Sequence, residues 1–121
     1  LLVRETISQE TSDFINEALY QTVSGEGGTA KAAAVAGYEI AGKTGTADEN
    51  SMKPPHGLFV GYAPYDDPQI AIATRIGNGY SSDYAAQISC KVIEYYFGLE
   101  DEEELISGTA ERPEAVTTSG D

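Results

Sequence analysis

Between Gly37 and Gly79, turn-forming residues divide the chain into three short runs that favour strands, and this spacing limits the fold more than any other feature. Residues 38–46 read as the first strand, residues 56–62 as the second and residues 69–76 as the third. The loop over residues 47–55 holds Asp48, Asn50, Pro54 and Pro55, and Ala63-Pro64 followed by Asp66-Asp67-Pro68 closes the second run. These residue types favour turns because they pre-set φ or hydrogen-bond their own backbone. Gly77-Asn78-Gly79 ends the third run, in which Ile70, Ile72, Thr74 and Ile76 share one side. Links this short favour antiparallel neighbours, since a parallel crossover needs a dozen or more residues.

Two helical patterns flank these runs. Ser8 is placed to cap a helix over residues 9–23, with Phe14, Ile15, Ala18, Leu19 and Val23 recurring at three- and four-residue spacing. Ser24-Gly25-Glu26-Gly27-Gly28 ends it, and the alanine-rich residues 30–36 suit one or two helical turns. Ser81 or Ser82 caps a last helix over residues 83–97, whose expected apolar face is Tyr84, Ile88, Val92, Tyr95 and Tyr96, with Gly98 at its C-terminal end. The order helix, three strands, helix predicts an α+β fold in which an antiparallel sheet is flanked by helices. So small and glycine-rich a set of elements is expected to need a partner segment for stability.

Charge divides the chain into two parts. Residues 1–98 carry twelve acids and six bases; residues 99–121 carry eight acids, one base and no aromatic residue. The second part is expected to be a disordered acidic tail, because it lacks the apolar area to offset its ordering entropy. Neither part has the basic surface that nucleic acid or an anionic membrane requires. The single cysteine, Cys90, rules out an internal disulfide and a cysteine-rich metal site and is expected to pack as a small apolar group. No apolar run approaches the length of a membrane span, and the start at Leu1 without Met reads as a fragment or processed product.

The segment with the most chemical content is Lys43-Thr44-Gly45-Thr46. On a strand, Lys43 and Gly45 share one face while Thr44 and Thr46 nominally share the other. Lys43 offers a positive charge to a carboxylate or to a hydroxyl proton network. Gly45 lets a ligand lie close to the backbone, and a local twist there can turn threonine hydroxyls toward the same ligand. With a backbone N–H as oxyanion donor, the set suits a small anionic acyl compound along a strand edge.

The stretch Gly37-Tyr38-Glu39-Ile40-Ala41-Gly42-Lys43-Thr44-Gly45-Thr46-Ala47, followed by Phe59-Val60-Gly61-Tyr62-Ala63-Pro64, resembles the class B penicillin-binding proteins. The upstream Val23-Ser24-Gly25-Glu26-Gly27-Gly28-Thr29-Ala30 fits as well, and the likeness covers residues 1–98. The resemblance implies the C-terminal part of a transpeptidase domain of the β-lactamase-like fold, which cross-links peptidoglycan stem peptides through a serine acyl-enzyme and binds β-lactams. It implies that Lys43 supports the proton network, that Thr44, Gly45 and Thr46 bind the substrate carboxylate, and that the Thr46 N–H forms half of an oxyanion hole. No cofactor and no metal are implied. The partners it implies are a stem peptide or a β-lactam and the N-terminal part of the domain, and the place it implies is the outer face of a bacterial membrane to which the parent protein would be anchored.

The family also uses a nucleophile in Ser-x-x-Lys and a Ser-x-Asn. None of the nine serines has lysine three positions on or asparagine two positions on. The chain alone is therefore expected to be inactive, one wall of a site whose nucleophile lies elsewhere. Two other functions share the Lys-Thr-Gly strand: a serine β-lactamase or β-lactam sensor, and a non-catalytic interaction module. Among the remaining residues, His56 reads as a structural or rim residue at a strand start, Arg75 as a charged strand terminus, and Asp66-Asp67 as turn residues rather than a metal site.

Overall fold

The computed structural model describes residues 6–103. Its elements are α1 (Gln9–Ser24), a single 3-10 turn (Lys31–Ala33), β1 (Ala41–Ala47), β2 (His56–Ala63), β3 (Ile70–Ile76) and α2 (Ser82–Tyr96). The strands form one antiparallel sheet in the order β1-β2-β3. Ala41 pairs with Tyr62 at one end of the β1-β2 ladder and Ala47 with His56 at the other. Across the second ladder Leu58 pairs with Arg75 and Ala63 with Ile70.

The ends of the helices follow from local chemistry. Ser8 caps α1, its Oγ accepting from the Thr11 N–H at 3.2 Å. Ser81 caps α2 in the same way, accepting from the Asp83 N–H at 3.1 Å. After α2, Gly98 takes φ +71°, and the Gly98 and Leu99 N–H groups donate to Tyr95 and Glu94 carbonyls. That pair of bonds stops the helix, and glycine adopts the left-handed conformation at little cost.

β1 starts three residues later than the sequence pattern suggests. Gly37 at φ +87° makes a tight turn bridged by Val35 and Tyr38, so Tyr38 does not join the sheet. Glu39 is used instead by the following link, its carbonyl accepting the Tyr65 N–H at 2.8 Å.

The core lies between one face of the sheet and α2. Phe59, Ile40, Ile93, Ala85, Ala86, Ala33 and Ala63 are fully buried there, with Val23 at the end of α1. The helix faces differ from expectation. On α2 the buried residues are Ala85, Ala86, Ser89, Cys90 and Ile93, while Ile88, Val92, Tyr95 and Tyr96 are exposed. Small residues let the helix approach a sheet already carrying Phe59 and the β3 isoleucines, so the bulky side chains face outward. On α1 only Val23 and half-buried Leu19 of the expected face turn inward; Phe14 is 76% exposed and Ile15 is exposed too.

On α2, Ser89 and Cys90 enter the core with partners. Ser89 Oγ lies 2.7 Å from both Thr74 Oγ1 on β3 and the Ala85 carbonyl, which ties α2 to the sheet. Cys90 is buried, and its thiol faces the Ala34 carbonyl at 3.5 Å. Burial, with nearby Glu94 adding to it, pushes this thiol up from 9.0 to about 11. Below pH 9 folded and unfolded chains both keep the proton; from there to about pH 11 only the folded chain does. Stability contributed by Cys90 is thus lost as pH rises through that window. Denaturant melts on the two sides of it are expected to show a drop in stability that is smaller in Cys90→Ala; an equal drop in both would refute the assignment.

The expected tail falls mostly outside the described residues. Within them, Glu100 is not free in solvent: its carboxylate pairs with Lys91, which also holds Glu94 at 3.0 Å. No helix of the described residues is long and apolar enough to cross a membrane, and they contain no cluster able to hold a metal ion.

Candidate functional site

Lys43, Thr44, Gly45 and Thr46 all lie on β1, which is an edge strand among the described residues. α1 packs mainly against β1. The Thr22 hydroxyl on α1 is shared between the carbonyls of Leu19 and Gly42, so the outer edge of β1 is covered at Gly42. Two residues on, the Thr44 carbonyl accepts from Lys43 Nζ at 2.7 Å. The opposite edge meets β2: a Cβ at Gly61 would come within 2.8 Å of the Ala41 carbonyl.

Backbone N–H and C=O groups of one strand residue point to the same edge, and successive residues alternate. With Gly42 and Thr44 turned outward, Thr46 is turned outward as well, so its N–H stands on the outer edge beyond α1. Side chains alternate at right angles to this. Lys43 is exposed on one face, where its register partner is Val60. Thr44 is on the opposite face over Phe59 and is only 9% exposed, whereas Thr46 is exposed. The structure therefore brings together the Lys43 amine, the Thr44 carbonyl and the Thr46 N–H. The Thr44 hydroxyl is turned toward the core rather than toward Lys43.

The face bearing Lys43 is open and largely apolar. Val60, in the middle of the central strand, is 53% exposed there and adjoins Leu19, Tyr62, Ala71 and Ala73 along a shallow groove. Tyr62 at one end donates to Asn16 on α1 at 3.0 Å, and burial pushes its hydroxyl up. Next to it, Tyr20 stacks on Tyr65 at 4.7 Å. Their hydroxyls donate to Glu39 and Glu17, at 3.0 and 3.2 Å. These contacts hold α1 against the sheet.

At the other end of the same face is a cluster absent from the sequence reading. The Asn78 N–H donates to His56 Nδ1 at 2.9 Å, and Asn78 Nδ2 donates to the Pro54 carbonyl at 2.9 Å. The Tyr80 N–H reaches the Pro55 carbonyl at 3.2 Å. Arg75 Nη2 is 3.3 Å and Glu49 Oε2 3.6 Å from His56 Nε2. His56 opens β2, and its contact with Arg75, nineteen residues away, arises only from strand register. Asn78 and Tyr80 have φ of +54° and +64°, a conformation uncommon outside glycine.

Comparisons with known proteins identify the family. Residues 2–94 match the family described as Penicillin binding protein transpeptidase domain. Peptidoglycan D,D-transpeptidase MrdA of Haemophilus influenzae is 36% identical over 94 residues, covering 64% of this chain and 14% of that protein. MrdA of Acinetobacter baumannii is 42% identical over 73 residues, covering 49% of this chain and 11% of that protein. Stage V sporulation protein D of Bacillus subtilis is 39% identical over 80 residues, covering 62% and 12%.

Among solved structures, PBP2 of Pseudomonas aeruginosa superposes with a TM-score of 0.68 at 37% identity, over 82% of this chain and 22% of that one. The D,D-transpeptidase domain of a peptidoglycan glycosyltransferase from Eggerthella lenta gives 0.67 at 31% identity, over 81% and 23%. An imipenem acyl-enzyme of penicillin-binding protein A from M. tuberculosis gives 0.67 at 29%, over 78% and 21%. The chain spans only 11–14% of the length of these curated relatives. Its three-stranded antiparallel sheet, its edge strand with Lys43-Thr44-Gly45-Thr46 and its match over residues 2–94 place it in one family: the chain belongs to the penicillin-binding protein transpeptidase domains.

Proposed function

We propose that this chain forms the Lys-Thr-Gly-Thr wall of a peptidoglycan D,D-transpeptidase site whose nucleophile lies on another part of the same polypeptide. The observation that carries this reading is the outer edge of β1. There an exposed amine and an outward N–H flank Gly45, just beyond the stretch covered by α1. A peptide or β-lactam lying along this edge would place its carbonyl oxygen at the Thr46 N–H and its carboxylate near Lys43 and the Thr46 hydroxyl.

The reaction needs a serine oxygen to attack that carbonyl carbon. The terminal D-alanine then leaves as its amine, taking a proton, and an acceptor amine displaces the serine to form the new amide. Lys43 would stabilise negative charge and share in moving the proton, and the Thr46 N–H would hold the oxyanion. Thr44, turned to the core, contributes mainly its carbonyl, which fixes the Lys43 amine. No Ser-x-x-Lys occurs in the sequence, so the chain by itself forms no acyl-enzyme.

The open apolar face around Val60 supports the view that the remainder of the transpeptidase domain packs there. By the same reading the intact protein works on the outer face of the bacterial membrane, anchored by a segment other than those described. The test uses the intact polypeptide and a fluorescent penicillin. A stoichiometric, long-lived adduct is expected; rapid turnover would instead favour a serine β-lactamase. An intact gene without Ser-x-x-Lys upstream would leave only a non-catalytic module.

A further inference from the structure

We propose that Arg75 and His56 form a carboxylate-recognition subsite that reads an acidic residue of the peptide substrate, upstream of its reacting end. This rests on the transpeptidase reading and adds a specificity determinant to it.

The argument starts from hydrogen bonding at His56. Because the Asn78 N–H donates to Nδ1 at 2.9 Å, Nδ1 carries a lone pair and the ring proton sits on Nε2. Arg75 Nη2 stands 3.3 Å from that same Nε2. A guanidinium has donors only, so two N–H groups face one another with no acceptor between them. The nearest carboxylate is Glu49, whose Oε2 is 3.6 Å from Nε2, outside hydrogen-bond distance, on a side chain that is 58% exposed. Among the described residues Arg75 makes no ion pair, in a chain of net charge −13. Two neighbouring donors of this kind suit a carboxylate oxygen bridging them from one side, and Glu49 is a carboxylate close to the His56 donor that does not reach Arg75.

Placement ties the pair to the edge strand. Register sets Arg75 level with Leu58 and Gly45, and His56 level with Ala47, so both side chains share the face of Lys43. At about 3.3 Å per residue, Gly45 and Ala47 lie roughly 7 and 13 Å beyond Lys43 along the strand. β3 lies about 10 Å across the sheet from β1, so a peptide held at Lys43 would meet Arg75 and His56 only through a long side chain reaching inward over β2, on a residue about two to four from its terminal carboxylate. The Asn78 and Tyr80 bonds to the Pro54-Pro55 segment hold His56 in position for this contact.

The test compares two synthetic peptides ending in D-alanyl-D-alanine, one with a free carboxylate two to four residues upstream and one with that group amidated. For the intact enzyme, kcat/KM is expected to favour the free carboxylate by about tenfold. Arg75→Gln should bring the ratio close to one. Glu49→Gln, which removes the competing carboxylate at an exposed position, should raise it about two- to threefold. Equal use of both peptides by the wild type, or a ratio that neither substitution moves, overturns the subsite. Failure of the wild type to react with either peptide or with penicillin would instead overturn the transpeptidase reading. If Arg75→Gln does not fold, seen as loss of penicillin labelling, the Glu49→Gln ratio decides.

Discussion

Replacing Lys43 by alanine in the intact polypeptide should slow acylation by a fluorescent penicillin about 10²- to 10³-fold while leaving the protein folded. Proton transfer and electrostatic stabilisation at one positioned group are each worth rate factors of that order. The fold should tolerate the change, because Lys43 is exposed and among the described residues its amine bonds only the neighbouring Thr44 carbonyl; surface substitutions of this kind stay within about 0.5 kcal/mol. Lys43→Arg separates the two roles. It keeps the charge that attracts a carboxylate but cannot give up a proton near neutral pH, so binding should recover and the acylation step should not. Labelling of Lys43→Ala at the wild-type rate would remove Lys43 from the chemistry.

That prediction depends on a feature the sequence could indicate only in part. The periodicity of residues 38–46 and the run Lys43-Thr44-Gly45-Thr46 locate a strand and its chemistry. Which backbone groups face outward follows only when α1 covers Gly42 through Thr22, twenty residues earlier in the chain. The same limit explains Thr44. Alternation predicted that it faces away from Lys43, but the depth of its burial depends on Phe59 lying opposite in the ladder.

Helix faces were legible as periodic patterns and misleading as to direction. Both helices carry two apolar sides. In α2 the larger residues Ile88, Val92 and Tyr95 gave the stronger periodic signal, yet alanines, Ser89 and Cys90 meet the sheet because close approach requires small side chains. In α1 the exposed Phe14 and Ile15 show the same thing. Hydrophobic spacing records every face that is ever covered, including those whose cover would belong to the rest of a domain, and cannot tell which cover is present. This is why the expectation of a partner segment and the wrong choice of face come from the same residues. The Arg75–His56 contact had no periodic signal at all, since it exists only through the pairing of β2 with β3.

The second large effect concerns the residue just before Lys43. The tip of the fully buried Phe59 ring lies against two glycines: a Cβ at Gly42 would meet ring atom Cζ at 2.5 Å and the Val60 carbonyl at 2.8 Å. At Gly61 a Cβ would meet the same ring at 2.8 Å. The glycines in Gly42-Lys43-Thr44 and Phe59-Val60-Gly61 therefore make room for one aromatic ring that serves as the floor beneath the edge strand. Phe59→Ala should cost about 3–5 kcal/mol through the cavity it leaves. Gly42→Ala should cost about 1–3 kcal/mol through overpacking and, by shifting β1 beside Lys43, should also slow acylation. Because ring and glycine occupy one space, the two sites should not be independent. In a Phe59→Leu background much of the steric conflict at Gly42 is relieved, while the clash with the Val60 carbonyl persists. The double variant is expected to be more stable than the sum of the single changes by about 1 kcal/mol, measured by denaturant melts as a double-mutant cycle. Strict additivity would mean that the β1 backbone moves freely over Phe59, and the rigid floor assigned to Lys43 and Thr46 would have to be abandoned.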